Sequence, residues 1–141
     1  MAEDDTATIF GPSGIFSLDD HCSKIVFLIS GIGITPIIPI LKDLESRQHQ
    51  VSVILFYTNK SIQTSAYHNE LQSIQLDNYT YHPIYTLTGS RINETLLKEK
   101  LGDLNDFKYY IVGTKSFVKS MRDILNNNSV NYDKIKVDDF G

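Results

Sequence analysis

The sequence has a single cysteine, Cys22, and that scarcity closes several options. An internal disulfide needs two, and a plant-type iron–sulfur cluster bound within the chain needs several thiolates. A reduced, cytoplasmic setting fits such a chain best. The histidines, at positions 21, 49, 68 and 82, lack metal-ligand spacing, so no metal site is expected. Positive charge is also short: 13 Lys and Arg stand against 17 Asp and Glu, a formal net charge of −4. No basic stripe with interleaved aromatics stands out, which argues against nucleic acid as a partner. A long unbroken apolar run is missing too. Residues 25–41 are nearly all apolar, but this is about 17 residues, interrupted by Ser30, Gly31, Gly33, Thr35, Pro36 and Pro39. A spanning helix needs roughly 20, so no membrane span is expected. The N-terminus, Met-Ala-Glu-Asp-Asp, is acidic where a signal peptide is basic, and no export is expected.

What remains is an ordinary globular composition, 41% hydrophobic and 21% charged over 141 residues. That is one domain's worth of chain, long enough to bury a core. The apolar run itself reads as two elements. Residues 24–30 form a strand that is apolar on both faces and therefore central in a parallel sheet. A glycine turn, Gly31 and Gly33, follows, and Thr35-Pro36 opens a helix with Pro36 at an allowed first-turn position. Pro39 removes a donor from that first turn, so the helix is expected to start irregularly.

Alternation continues to the end. A second strand covers 51–58, then a helix at roughly 64–75 turns Leu71, Ile74 and Tyr67 inward. A third strand at 80–87 contains Pro83, which confines it to an edge. Residues 91–101 read as a helix with Asn93 as N-cap and Gly102 as its stop. A fourth strand at 108–112 ends at Gly113, a helix covers about 116–125, and Ile135 and Val137 offer a last short strand. Five strands alternating with four helices predict an α/β fold: a doubly wound, parallel, five-stranded sheet in a Rossmann-like three-layer sandwich. Ligands of such sheets bind beyond the carboxyl ends of the strands, at the point where strand order reverses. Gly31-Ile32-Gly33, Tyr57-Thr58-Asn59 and Gly113-Thr114 all fall at strand ends. Strand, glycine turn and helix start are also how such folds offer backbone N–H groups to phosphate, although the third glycine of the usual dinucleotide fingerprint is absent.

These residues resemble a family. Ser30-Gly31-Ile32-Gly33-Ile34-Thr35-Pro36 is similar to the Gly-x-Gly-Ile-Thr-Pro loop of ferredoxin–NADP reductase-like flavoenzymes, in their NAD(P)-binding half. Tyr57-Thr58-Asn59-Lys60, with Tyr67-His68-Asn69-Glu70-Leu71, resembles the segment around the adenosine. Tyr109-Tyr110-Ile111-Val112-Gly113-Thr114 resembles the strand ending in Cys-Gly-Pro near the nicotinamide, and Asp138-Asp139-Phe140 the acidic-Phe ending near the flavin. Gly11-Pro12-Ser13-Gly14-Ile15-Phe16 is similar to the piece that closes the preceding flavin domain. The resemblance implies that residues 1–20 are a lead-in and remnant of a flavin-binding domain and that residues 21–141 bind NAD or NADP. Departures are that the six-stranded flavin barrel is missing except for its last piece, Val112 stands where many members carry cysteine, and Thr114 replaces proline.

By the same resemblance, the cofactor-binding residues are Gly31, Ile32, Gly33, Ile34, Thr35, Pro36, Tyr57, Thr58, Asn59, Lys60, Gly113, Thr114, Phe117 and Phe140. Gly31 and Gly33 would admit the pyrophosphate, and Gly113 would clear space for the nicotinamide ribose. Several roles stay open. Thr35 either donates to phosphate or caps the helix, Tyr57 either contacts adenosine or joins the core, and Thr114 is a candidate partner for the nicotinamide amide. Phe140 lies against the flavin or serves as a C-terminal anchor. Neither an acidic residue for a ribose 2′-OH nor a clear cation for a 2′-phosphate stands at Tyr57–Lys60, so NAD and NADP both remain. The implied activity is transfer of hydride from NAD(P)H to FAD in a companion flavin domain, with electrons passed to an acceptor protein or small molecule. A fragment of this kind is expected to be inactive alone, and no side chain is expected to act as acid or base. Alternatives are a nucleotide-sensing or electron-transfer subunit without independent catalysis, a flavodoxin-like FMN carrier, and a non-catalytic interaction module.

Overall fold

The computed structural model describes residues 24–47, 52–61, 67–76 and 78–140. The segment at 1–20, His21, Cys22 and His49 lie outside these described residues, as does the beginning of the expected second helix.

Strand β1, Lys24–Ser30, is the middle of the sheet. Ile25, Val26, Phe27, Leu28 and Ile29 expose no surface, which requires cover on both faces and a paired strand on each side. Strand β2 (Ser52–Asn59) pairs parallel on one side and β4 (Lys108–Thr114) on the other, with Ser30 opposite Thr58 and Ile29 opposite Val112. Strand β3 (Tyr79–Tyr85) and β5 (Ile135–Phe140) complete the edges, giving the order β3-β2-β1-β4-β5, all parallel. The chain winds outward from β1 to β3 and then returns to build the other half. The doubly wound expectation holds, with β1 central and Pro83 on an edge strand.

Two layers cover the sheet, and alternate residues of each strand feed them. Ile25, Phe27, Ile29, Val53 and Leu55 pack under helix α1 (Ile37–Arg47) through Ile37, Ile38, Leu41 and Leu44, with Leu71 of the short α2 (His68–Gln72). Val26, Leu28, Phe56 and Ile111 face helix α3 (Glu94–Leu101) and helix α4 (Lys115–Asn127) through Leu97, Val118, Met121 and Leu125. Each large side chain buried in this way contributes about 1.5–3 kcal/mol. The core tyrosines satisfy their polar ends locally. Tyr109 donates its hydroxyl to the Leu104 carbonyl at 2.6 Å, and Tyr79 donates to the Leu71 carbonyl at 2.8 Å. Burial pushes both phenols well above their ordinary range.

Element boundaries differ from the sequence expectation for identifiable reasons. Pro36 precedes α1 rather than sitting inside it, and Pro39 is the third residue of the helix. A first-turn N–H has no intrahelical acceptor, so its loss costs little there. The irregularity instead falls earlier, in a 3-10 turn over Gly31–Ile34. Helix α2 stops at Gln72, although Ile74 beyond it is still buried; Tyr67, expected to face inward, is 40% exposed and takes a left-handed backbone at φ 65°. Strand β3 ends at Tyr85 because Thr88 donates its hydroxyl to the Tyr85 carbonyl at 2.7 Å and Gly89 turns the chain at φ 88°. Helix α3 starts at Glu94, since Asn93 is extended and its side chain accepts from the Leu96 N–H at 2.8 Å. Asn93 and Gly102 are therefore cap and stop as expected, and the helix is shorter by the residues ahead of the cap. Strand β4 runs on through Gly113 to Thr114, and α4 is longer than expected at both ends.

Truncating Phe27 to alanine removes a ring that packs 5.5 Å from Tyr110 at the centre of one layer. The expected loss is about 3–5 kcal/mol in urea unfolding; a loss under about 1 kcal/mol would mean β1 is not the central strand. His82, stacked 4.9 Å from Phe56, is held below its ordinary pKa of 6.5 by burial and then by the Lys100 charge. Its unfolded form binds a proton first, so stability present above pH 6.5 is lost as pH falls below that value. Replacing His82 with glutamine should flatten the pH dependence of the unfolding midpoint between about pH 7 and 5.5; an unchanged slope would assign that dependence elsewhere.

Candidate functional site

The reversal of strand order places the carboxyl ends of β1 and β4 side by side, with loops leaving them toward opposite layers. Ser30 ends β1, and Gly31 turns the chain at φ 57°, where a side chain is strained although no atom lies within 4 Å of its Cβ position. The 3-10 turn and the Thr35-Pro36 step then aim the start of α1 at the same crest. The first N–H groups of that 11-residue helix have no intrahelical acceptor, and the helix dipole adds partial positive charge. An anion at the crest would meet both.

The two glycines of the turn have different tasks. A Cβ on Gly33 would stand 2.9 Å from the Val112 carbonyl oxygen and 3.0 Å from Val112 Cγ1. Gly33 therefore lets the turn lie down on β4. Gly113 is also closely packed: its Cβ position lies 2.7 Å from Phe117 Cδ2 and 3.1 Å from Ser30 Oγ.

Other expected residues divide between core and crest. Tyr57 and Ile34 are buried in the layer under α1, so the core alternative is the one realised for the Tyr57 ring. Thr35 is exposed and is separated from the first residue of α1 by Pro36. Thr114 caps α4: its hydroxyl accepts from the Phe117 N–H at 3.3 Å and lies 3.3 Å from Ser116 Oγ. Thr58 and Asn59 end β2 at the crest, and Lys60 follows, exposed, with its carbonyl accepting from the Leu87 N–H at 2.9 Å. Phe140 pairs in register with Thr114, which brings its backbone to the same edge; its side chain, like that of Ile32, is outside the described part.

Sequence reasoning missed a cleft of about 260 Å³ beside this crest. Thr58 and Thr86 line it from the exits of β2 and β3, Ser116, Phe117, Ser120 and Met121 from α4, and Arg91 and Ile92 from the segment ahead of α3. Its walls bring together residues up to 63 positions apart in the chain, Thr58 and Met121 being the extremes. The one available signal was Arg91 itself, a cation just after the Gly89-Ser90 turn.

On the α1 side of β3, His68 Nδ1 lies 3.0 Å from the Tyr81 hydroxyl and 3.4 Å from that of Tyr85, the last residue of the strand. An exposed Lys42–Glu70 pair at 2.8 Å ties α1 to α2 and contributes little.

This glycine turn at the reversal of a parallel sheet is the architecture of a pyridine-nucleotide domain. Residues 27–123, well over half of the chain, match the family described as the oxidoreductase NAD-binding domain, and the chain belongs to that family. It is 28% identical to a flavohemoprotein of Bacillus subtilis over 89% of this chain, a match that spans 35% of that protein. Among solved structures, the fold is similar to flavohemoglobin from Malassezia yamatoensis, solved with bound FAD and heme (TM-score 0.78, 20% identity, 91% of this chain and 34% of that one). It is also similar to a ferredoxin-NADP+ reductase mutant from Plasmodium falciparum (TM-score 0.69, 23% identity, 84% of this chain and 52% of that one). The chain thus spans about a third of the first curated relative it matches. Among the described residues, no helix is long and apolar enough to cross a membrane.

Replacing Gly33 with alanine should cost about 1–3 kcal/mol of stability, because backbone oxygen cannot give way as a flexible side chain can. Gly31→Ala, facing open space, should cost only about 1 kcal/mol from its backbone conformation. Urea unfolding of the two variants side by side checks this; a Gly33→Ala variant as stable as wild type would remove its packing task.

Proposed function

We propose that this chain is the pyridine-nucleotide half of a flavin-dependent oxidoreductase. NAD(P)H supplies a hydride, the equivalent of one proton and two electrons, and FAD held by a companion domain accepts it before an acceptor protein or small molecule takes the electrons. The chain's own residues bind and orient. Gly31 opens the turn, the N–H groups of α1 meet the pyrophosphate, and Thr35, Pro36, Thr58, Asn59 and Lys60 border the adenosine side. Thr114, Phe117 and Phe140 border the nicotinamide side, facing the flavin partner. No side chain is required to move a proton, so the contribution to rate is placement of the nicotinamide. The observation that carries this reading is the convergence of the Gly31 turn, the start of α1 and the end of β4 at the reversal of strand order.

Residues 21–141 would form this domain, and residues 1–20 the end of the flavin-binding partner that the Gly11–Phe16 motif resembles. The lone cysteine supports a reduced, cytoplasmic compartment.

Calorimetric titration of the chain with NADH, NADPH and FMN tests the reading. Binding of a pyridine nucleotide is expected, and Gly31→Val should weaken it at least about tenfold, since a β-branched residue resists a positive φ. Binding of FMN alone would sink the proposal, and an unchanged affinity in the variant would remove the pyrophosphate from this turn.

A further inference from the structure

We propose that the outer edge of β5 is a self-association surface, where a second copy of this chain adds its own β5 antiparallel across a two-fold axis at Val137. An edge strand presents N–H and C=O groups on the side that no neighbour pairs. Strands β3 and β5 are the two edges of this sheet, and among the described residues no strand lies beyond either. Pro83 takes a donor out of the middle of β3, which blunts that edge. The six residues of β5 include no proline, so its edge is open along about 20 Å.

Side-chain order along β5 selects the occupant. Lys136 and Asp138 share one face of the sheet, since they pair in register with Tyr110 and Val112, which lie in the layer under α1. Ile135 and Val137 share the other face, packed toward α4. A two-fold axis perpendicular to the sheet keeps the faces of both copies on the same side, so residues directly opposite across the junction share a face. With Val137 opposite Val137 of the second copy, Lys136 of each copy falls opposite Asp138 of the other. The smallest slip that keeps the faces moves the register by two residues. In one direction it sets Lys136 opposite Lys136, and in the other Asp138 opposite Asp138; like charges directly opposed are destabilising. A lysine on an edge strand discourages pairing in general. Asp138 lifts that restriction for one occupant in one register, a copy of the same strand.

The α4 face supplies the apolar part. A shallow groove of about 90 Å³ beside β5 is lined by Tyr132, Ile135 and Val137, with Arg122 and Asn126 of α4. Ile135 and Val137 are only partly buried, and Tyr132 is 77% exposed. Two such grooves meeting about Val137 cover apolar surface that a single copy leaves wet. The contact is small beside the roughly 1,200 Å² of a stable interface, so the dimer is weak, with a dissociation constant of about 10–100 µM.

Sedimentation velocity of the full 141-residue chain tests this at low ionic strength, from about 5 µM to about 1 mM. Wild type should pass from monomer to dimer and stop there, as a closed two-fold requires. Lys136→Asp and Asp138→Lys should each weaken the dimer at least about tenfold. The double variant restores opposite charges and should return to within about threefold of wild type. Lys136 is exposed, and matching urea midpoints establish that the variants remain folded. If Asp138→Lys does not fold, Lys136→Asp decides alone. A monomer at every concentration, or growth beyond the dimer, overturns the proposal. So does a dimer indifferent to Lys136→Asp, or a loss that the double variant does not rescue, whatever the nucleotide titration shows.

Discussion

Ile25 through Ile29 expose no surface, and a strand with no dry-side to spare has to lie between two strands and beneath two layers. That constraint organises the rest. Once β1 is central, β2 and β3 extend the sheet on one side, and the chain must cross over to add β4 and β5 on the other. The loops after β1 and β4 leave toward opposite layers, and a crevice opens between them. The site is thus a by-product of burying five residues.

Packing at the crevice is tight enough to dictate residue type. Gly33 lies on the Val112 carbonyl and Gly113 fits between Ser30 and Phe117, so both are glycine because neighbouring atoms occupy the Cβ position. Of these three glycines, Gly31 is the one whose backbone angle favours glycine. The turn is held to β4 by contacts that a nucleotide does not need to supply, and so the donors of α1 are aimed before any ligand arrives. Preorganisation of this sort is what a domain that positions a cofactor has to contribute.

Charge is distributed against the trend of the whole molecule. The chain is acidic overall, yet the cleft at the exits of β2 and β3 is lined by Arg91 and hydroxyls and by no carboxylate. A field of that sign suits an anionic nucleotide and is local to the crest. The chain spans about a third of the flavohemoprotein it resembles.

The central position of β1, the edge position of β3, the Asn93 cap and the Gly102 stop were all readable from residues alone. Each depends on local chemistry: an apolar run, a proline, an amide side chain, a residue that tolerates positive φ. Tyr57 was ambiguous because the end of a buried strand alternates between core and crest, and register alone decides which way a ring points. Thr35 and Thr114 look alike in sequence, but a proline separates the first from its helix while the second caps α4 directly. The sequence by itself determined the alternation of elements and the glycine turn, because strand burial and turn geometry are properties of short stretches. Only the tertiary structure decided which glycines pack and which one bends, and that Arg91 shares a cleft with Thr58 and Ser116. Those contacts join distant segments through strand order and register, which no short window contains.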